Sequence, residues 1–159
     1  MVKKRVSPSF AHEQGWTPLS KNHKKEWYRR SLFYTDTLLK KIYEYGTSYL
    51  NLQSMIYCSD HGENLKYTHT SSPFYEDMVH IPFWIYLSPA YTKTYPKITA
   101  SLSQHKEAIF TNDLLFDTIA GLLQIHHDEL SENYQLTSPQ YNLTPDEALT
   151  LHGKKKIFP

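Results

Sequence analysis

Two short apolar runs of strand length constrain the fold of this chain more than any other feature of its sequence. Leu52 to Cys58 and Val79 to Leu87 are each nearly continuously apolar, which is typical of buried strands. Pro82 lies inside the second run, and because proline cannot donate a ladder hydrogen bond it predicts an edge position or a bulge. Helical patterns flank the pair, and the order helix, strand, loop, strand, helix is that of an α/β protein. We therefore predict an α/β fold in which helices flank a sheet.

A long amphipathic helix is predicted before the first strand. Between Lys25 and Tyr45, residues recur at helical spacing, and they are Leu32, Thr35, Leu38, Leu39, Ile42 and Tyr45. Gly46 follows at the position where a C-cap glycine would end such a helix. Residues 1–24 contain prolines, a glycine and lysines without clean periodicity, so we expect an irregular segment there.

The chain after the second run divides into a predicted loop and a predicted helix. Residues 88–106 are interrupted by prolines and threonines and are expected to form a loop. Residues 110–125 predict a helix, with Thr111 or Asn112 as its N-cap and Asp113 in its first turn. The apolar side of that helix is expected to consist of Leu115, Ile119, Leu122 and Leu123.

Composition excludes several classes of protein. The chain has 159 residues, enough for one domain with a sizeable core, and its net charge of +1 gives no basis for general nucleic-acid binding. Its one cysteine, Cys58, excludes an internal disulfide and is expected to be a buried, inert thiol. The first residues lack the apolar stretch of a signal peptide, and no window reaches the ~18 apolar residues of a membrane span. We therefore expect no export or anchoring signal in the chain as written.

The sequence Ser-Asp-His-Gly-Glu, residues 59–63, follows the first apolar run directly. A carboxylate and a neutral imidazole are both good ligands of a divalent metal such as zinc. Adjacent residues of a regular strand point to opposite faces, so Asp60 and His61 can share one ion only if the backbone leaves strand geometry. Gly62 is well placed to permit that departure. A metal site and a polar turn are the two alternatives that these residues leave open.

Two further histidines lie on the chain that returns to the same sheet edge. A catalytic zinc needs three protein ligands and an open position. For His69 we favour a functional role over that of a solvated loop histidine. For His80, beside the second run, a structural, hydrogen-bonded histidine is favoured.

The stretch YCSDHGENLKYTHTSSPFYEDMVHIPFWIYLSP resembles the end of the catalytic domain of bacterial phosphoethanolamine transferases, in the sulfatase and alkaline-phosphatase superfamily. The elements of that family pattern stand here at residues 59–63, 67–69, 80–82 and 87–89. The flanking segments SLFYTDTLLKKI, FTNDLLFDTIAGLLQI and SPQYNLTPDEALTLHGKKKI are similar to the family's helices and tail. The resemblance extends from about residue 25 to the end, and it implies that residues 25–159 are the C-terminal part of a sulfatase-like catalytic domain, a partial α/β sandwich.

The resemblance also implies a chemistry. In this family a zinc-bound threonine attacks phosphatidylethanolamine, and the phosphoethanolamine group then passes to lipid A or another lipopolysaccharide or surface acceptor. By motif position, Asp60 and His61 would be ligands of Zn²⁺ or another divalent metal, and His69 would contact the transferred group or a second metal. The full-length relatives are inner-membrane proteins with a periplasmic catalytic domain, and their N-terminal helices associate with the membrane.

The sequence departs from the family pattern in what lies upstream. The family's nucleophilic threonine, its metal-binding glutamate and its membrane helices are not matched here, and Thr17, Thr35 and Thr37 do not stand in the nucleophile context. We therefore expect the C-terminal portion of a longer enzyme. The alternatives are a sulfatase or phosphodiesterase of the same superfamily, or an inactive metal-binding remnant.

Overall fold

A computed structural model describes residues 24–66, 75–150 and 155–156 of the chain. The chain divides into two compact units, Met1–Leu52 and Gln53–Pro159. The described part of the first unit is a helix and the turn that ends it, whereas the second unit contains both strands and helices. The predicted α/β class is confirmed. The predicted irregular segment, residues 1–24, falls almost wholly outside the described residues.

The long predicted helix is present as α1, Lys24–Tyr49. The prediction that Gly46 ends it is wrong, because α1 continues for three more residues. The Gly46 carbonyl accepts hydrogen bonds from the backbone N–H groups of Leu50 and Leu52, at 3.1 and 3.0 Å. The left-handed turn that follows the helix is made by Asn51, with φ 51°, a residue type that tolerates this conformation.

The two apolar runs form an antiparallel pair. Strand β1, Ser54–Cys58, lies beside β2, Phe83–Leu87, with Ile56 opposite Ile85. Pro82 lies just before β2, where its carbonyl accepts a bond from the Ser59 N–H at 3.3 Å, so the proline interrupts no ladder. Every β1 residue is half-buried and Trp84 of β2 is exposed. The expectation of buried strands is therefore wrong for the described structure, in which this sheet has two strands.

The predicted loop 88–106 is instead two helices, α2 (Pro89–Thr94) and α3 (Pro96–Gln104). Each begins at a proline, which is favourable at the first helical position because its missing N–H would have no intrahelical partner there. Ser88 caps α2, since its hydroxyl accepts a hydrogen bond from the Tyr91 N–H at 3.0 Å. Prolines that indicate a loop by composition here mark helix starts.

The last predicted helix is shorter than expected. A 3₁₀ turn at Asn112–Leu114 leads into α4, Leu115–Leu122. Thr111 stands at the cap position of the turn, but its side chain makes no capping bond. Of the predicted apolar side, Leu122 is buried whereas Ile119 and Leu123 are exposed. The buried side of α4 consists instead of Leu122 and three small residues, Thr118, Ala120 and Gly121. Further along, a 3₁₀ turn spans Glu132–Tyr134, and two short strands, β3 (Leu149–Thr150) and β4 (Lys155–Lys156), pair antiparallel.

Two apolar clusters pack the helices of the second unit onto the sheet. The first joins Tyr91, Ile98 and Leu122 to the sheet residues Ile56, Ile85 and Leu87. The second joins Leu114, Leu136 and Tyr141 to Phe83 and Phe110, among others. Together these clusters hold β1, β2 and α4 in one core. No helix among the described residues is long and apolar enough to cross a membrane.

Candidate functional site

The candidate site is the loop that leaves the end of β1. The Ser59 N–H still bonds to the Pro82 carbonyl, and the chain turns away from the sheet directly afterwards. The side chains of Asp60 and His61 then converge, with His61 Nε2 lying 3.9 Å from Asp60 Oδ2. Both are accessible, at 89% exposed for Asp60 and 44% for His61. Neighbouring side chains that would diverge on a strand therefore face one point.

Hydrogen bonds between neighbouring residues of the loop produce this convergence. The Ser59 hydroxyl donates to the His61 carbonyl at 2.8 Å, which folds the backbone back over two residues. The His61 N–H donates to Asp60 Oδ1 at 3.2 Å. That second bond leaves the other carboxylate oxygen, Oδ2, on the side of the imidazole.

Gly62 lets the following chain approach the loop closely. It is buried, and its N–H donates to the Met78 carbonyl at 2.8 Å. A Cβ at this position would overlap the Asp77 carbonyl oxygen and lie 2.7 Å from the His80 carbonyl oxygen. Its φ lies outside the left-handed region, so the glycine is required for space and not, as expected, for unusual backbone angles.

A residue from the 3₁₀ turn that precedes α4 also contacts the loop. The carboxamide nitrogen of Asn112 donates to the carbonyls of Ser59 and Asp60, at 3.1 and 3.0 Å. The sequence predicted Asn112 as a possible helix cap, and this contact was missed. No local signal could have found it, because the acceptors lie more than fifty residues upstream.

The segment that continues from the loop is tied back near Asp77. The Asn64 side chain donates to Asp77 Oδ2 at 2.9 Å and accepts a bond from the Lys66 N–H at 3.0 Å. His69 lies outside the described residues, so its predicted role stays a prediction. His80 is exposed, and the group that it places against Gly62 is its backbone carbonyl.

Hydrogen bonding and charge within the loop lower the pKa of the Asp60 carboxyl. Partial burial raises the pKa of its carboxyl, but hydrogen bonding at its own backbone, the His61 imidazole, the His61 N–H and the Ser59 hydroxyl together bring the pKa below its usual value. A carboxylate in this state at neutral pH is in the form that binds metal ions.

Hydrogen bonding also selects the form of the imidazole. His61 Nδ1 lies 2.8 Å from the Gly62 carbonyl oxygen. A carbonyl can only accept, so Nδ1 carries the proton and, in the neutral ring, Nε2 carries the lone pair. Nε2 is the nitrogen on the side of Asp60 Oδ2. A lone pair and a carboxylate oxygen that face one point are two donors that a divalent cation could use.

Within residues 24–66, 75–150 and 155–156, no group of three or more His, Cys, Asp or Glu side chains could hold a metal ion. Within the described loop, Asp60 and His61 are the two converging side chains of a type that can bind a metal. With bonds of about 2.0–2.2 Å, two ligand atoms of a tetrahedral ion lie about 3.4 Å apart. The observed 3.9 Å exceeds that by an amount that a small side-chain rotation removes.

A cavity of about 390 Å³ lies elsewhere in the second unit. Its walls include Phe83, Ile85, Leu87, Leu102, His105 and Lys106. Neither Asp60 nor His61 lines it. We place the candidate site at the loop because two side chains that can bind a metal converge there.

Comparison with known proteins gives one match. The Sulfatase family model matches residues 2–125, a range that contains the loop, both strands of the first sheet and α4. No curated protein and no solved structure matches the chain significantly.

Proposed function

The chain belongs to the sulfatase family, and from that premise we propose that it is the C-terminal portion of a metal-dependent phosphoethanolamine transferase. Its donor would be phosphatidylethanolamine, and its acceptor lipid A or another lipopolysaccharide or surface acceptor. Such an enzyme would act at the inner membrane, with this portion in the periplasm. Asp60 and His61 would be two of the metal ligands of its active site.

The observation that carries the proposal is the convergence of Asp60 and His61 at the end of β1. Their ligand atoms are 3.9 Å apart, the carboxyl pKa is lowered, and Nδ1 of the imidazole donates to the Gly62 carbonyl. The distance is close to that between two ligand atoms of one ion, and the hydrogen bond at Nδ1 leaves the lone pair of the neutral ring on Nε2, the form that a divalent ion such as Zn²⁺ requires. The residue types and their states therefore fit a metal.

The accessible position of the two side chains suits a site that takes a large substrate. A bound divalent ion lowers the pKa of a nucleophilic hydroxyl and offsets negative charge on phosphoryl oxygens. Asp60 and His61 would hold that ion, while the Gly62 carbonyl orients the His61 ring through Nδ1. His69 would contact the transferred group.

The proposed reaction has two balanced steps. An enzyme hydroxyl forms a bond to phosphorus while the bond from phosphorus to the glycerol oxygen breaks, and diacylglycerol leaves with the proton that the hydroxyl gives up. An acceptor hydroxyl then forms its bond to phosphorus, and the enzyme oxygen leaves and regains a proton. Phosphoethanolamine is thereby transferred without net consumption of water.

Transfer is favoured over hydrolysis by two sequence features. These are the tyrosine–histidine loop, Tyr67 to His69, and the tail LTLHGKKKI, which resemble the transferases. The family match itself favours the second candidate, a sulfatase or phosphodiesterase that uses the same Asp60 and His61 pair. Assays with p-nitrophenyl sulfate and bis-p-nitrophenyl phosphate separate these hydrolases from the transferase.

Zinc binding by the 159-residue chain tests the ligand assignment directly. We expect weak binding by titration calorimetry, since two ligands, or three with His69, leave a tetrahedral site incomplete. Asp60→Ala and His61→Ala should abolish that binding, whereas His126→Ala, at an exposed histidine outside the loop, should leave it unchanged. Retention of full affinity in both loop variants would exclude the assignment.

Activity is tested in the longer enzyme that we propose contains this chain. Incubation with phosphatidylethanolamine should add about 123 Da to the protein, the mass of a trapped covalent phosphoethanolamine intermediate. Alanine at Asp60 or His61 should abolish the adduct. Zinc binding without turnover of a phospholipid, a sulfate ester or a phosphodiester would instead identify an inactive metal-binding remnant.

A further inference from the structure

The Asn112 side chain links the candidate loop to the 3₁₀ turn that precedes α4. Its Nδ2 atom donates to two carbonyl oxygens, those of Ser59 at 3.1 Å and Asp60 at 3.0 Å. We propose that Asn112 is a positioning residue that holds this loop in its metal-binding shape. The inference rests on the proposed function, because the metal site is part of that proposal.

The two acceptors belong to consecutive residues. In a regular strand, successive peptide groups alternate in direction, so neighbouring carbonyls point to opposite sides. One amide nitrogen with two hydrogens can satisfy both carbonyls only where the backbone has left that geometry. The Asn112 contact therefore marks, and stabilises, the departure from strand geometry at Ser59 and Asp60.

That departure is what brings the two ligand side chains together. On a continued strand, the side chains of Asp60 and His61 would lie on opposite faces of the sheet. The Ser59 hydroxyl and the Asp60 carboxylate bond within the loop itself, but those bonds do not attach the loop to the rest of the fold. Asn112 provides such an attachment from a distant segment.

The turn that carries Asn112 is packed against the core through Leu114. Asn112 opens the 3₁₀ turn whose third residue, Leu114, is buried with Leu136 and Tyr141 in the second apolar cluster. A donor mounted on a packed element holds its acceptors more firmly than one on a loop. The position of the loop is thereby tied to the core, and not to its own sequence alone.

The contact of Asn112 with the loop is not a helix cap. Thr111, and not Asn112, is the cap residue of the turn. A purely structural role would lower stability without changing metal affinity in the folded protein. A positioning role instead makes the metal-free loop more mobile, so ordering it on binding weakens the affinity.

Zinc affinity of the full 159-residue chain provides the first test. Loss of an outer hydrogen-bonding partner typically weakens metal binding by about 10- to 100-fold, and we expect that loss for Asn112→Ala. Asn133→Ala is the matched control, since Asn133 is an exposed asparagine on another 3₁₀ turn of the same unit. It should bind zinc as the wild type does.

Asn112→Asp separates positioning from electrostatics. The substitution removes the donor hydrogens but adds a negative charge near the site. Coulomb attraction alone predicts tighter zinc binding, whereas the positioning role predicts weaker binding, because carboxylate oxygens repel the two carbonyls. Asn112→Gln retains the carboxamide and should recover part of the affinity that Asn112→Ala loses.

A metal-free measurement completes the test. Amide order parameters from NMR should fall at Asp60 and His61 in Asn112→Ala and stay unchanged at Leu114. Wild-type zinc affinity in Asn112→Ala, tighter binding by Asn112→Asp, or unchanged order parameters would overturn the inference. If the wild type itself bound no zinc, the metal proposal would be wrong, while the order parameters would still decide whether Asn112 positions the loop.

Discussion

Gly62 of the candidate loop has no room for a side chain. Its N–H bonds to the Met78 carbonyl, and the backbone at Asp77 and His80 occupies the space that a side chain would need. Backbone atoms cannot rotate away as the end of a flexible side chain can. The glycine therefore sets how closely the returning chain approaches Asp60 and His61.

Gly62→Ala should destabilise the protein. The added Cβ would overlap the Asp77 carbonyl oxygen, and overpacking of this kind typically costs about 1–3 kcal/mol. Urea denaturation of the variant and the wild type would measure the difference. Zinc affinity should fall as well, because the displaced chain is attached to the loop through Gly62.

Gly46→Ala is the control for that prediction. A Cβ there would lie 3.1 Å from Leu52 Cδ2 and 3.3 Å from Leu52 Cβ, contacts that a shift of the leucine side chain relieves, and alanine is favoured over glycine inside a helix by about 1 kcal/mol. We expect no loss of stability. Equal stability of both alanine variants and the wild type would contradict the steric role of Gly62.

At the scale of elements, α2 begins directly after β2 because Ser88 caps it and Pro89 is its first residue. Pro96 is likewise the first residue of α3. The Ser88 hydroxyl accepts from the Tyr91 N–H and donates to Gln53 Oε1, both at 3.0 Å. It thereby connects the start of α2 to the chain just before β1. The Tyr91 hydroxyl in turn donates to the Leu122 carbonyl at 2.6 Å, which ties α2 to the end of α4.

Ser88→Ala should therefore cost stability through the loss of a helix cap. Substitution of an N-cap serine by alanine typically costs about 0.5–2 kcal/mol, and Ser88 is buried. Ser103→Ala, at an exposed serine within α3, should change stability little. Chemical denaturation of the two variants in parallel would check this, and equal losses would contradict the capping role.

At the scale of the second unit, the core depends on buried groups that join distant segments. Tyr141 packs with Leu114 and Leu136, and its hydroxyl donates to the Ile109 carbonyl. Burial raises the pKa of Tyr141 to about 12. Its neutral form is therefore favoured in the folded state relative to the unfolded chain.

This raised pKa predicts a loss of stability at high pH. The contribution of Tyr141 is fully present below its unfolded pKa of 10.0 and is lost as pH rises from there through about 12. Tyr141→Phe cannot ionise at this position, so wild type should lose unfolding free energy relative to the variant over that interval. The other tyrosines are common to both proteins and cancel in the comparison.

Urea denaturation of both proteins at about pH 9 and about pH 11.5 would measure the effect. At the lower pH the variant should be the less stable of the two, by about 1 kcal/mol, because the Ile109 carbonyl loses its partner. A stability difference that stays constant over the two pH values would contradict the prediction.

The sequence by itself determined the local features of this protein. The two strands, α1, α4 and the α/β class follow from apolar runs and helical spacing, which act between neighbours along the chain. The placement of Asp60 and His61 directly after β1 is likewise a matter of order in the sequence. Two expectations were wrong, that Gly46 ends α1 and that residues 88–106 form a loop. Both rest on local signals that are ambiguous, because glycine also occurs inside helices and proline also occurs at their starts.

Only the tertiary structure decided how the candidate loop is shaped. By its residue type, Asn112 could equally have capped its own helical turn through its side-chain oxygen. Leu114 instead packs into the core, and the Asn112 side chain lies within hydrogen-bond distance of carbonyls 53 and 52 residues upstream. The backbone of Asp77 and His80, from a later part of the chain, likewise lies against Gly62. Contacts between residues so far apart depend on how the whole unit folds, because loop closure and core packing, and not local preference, determine which distant groups meet.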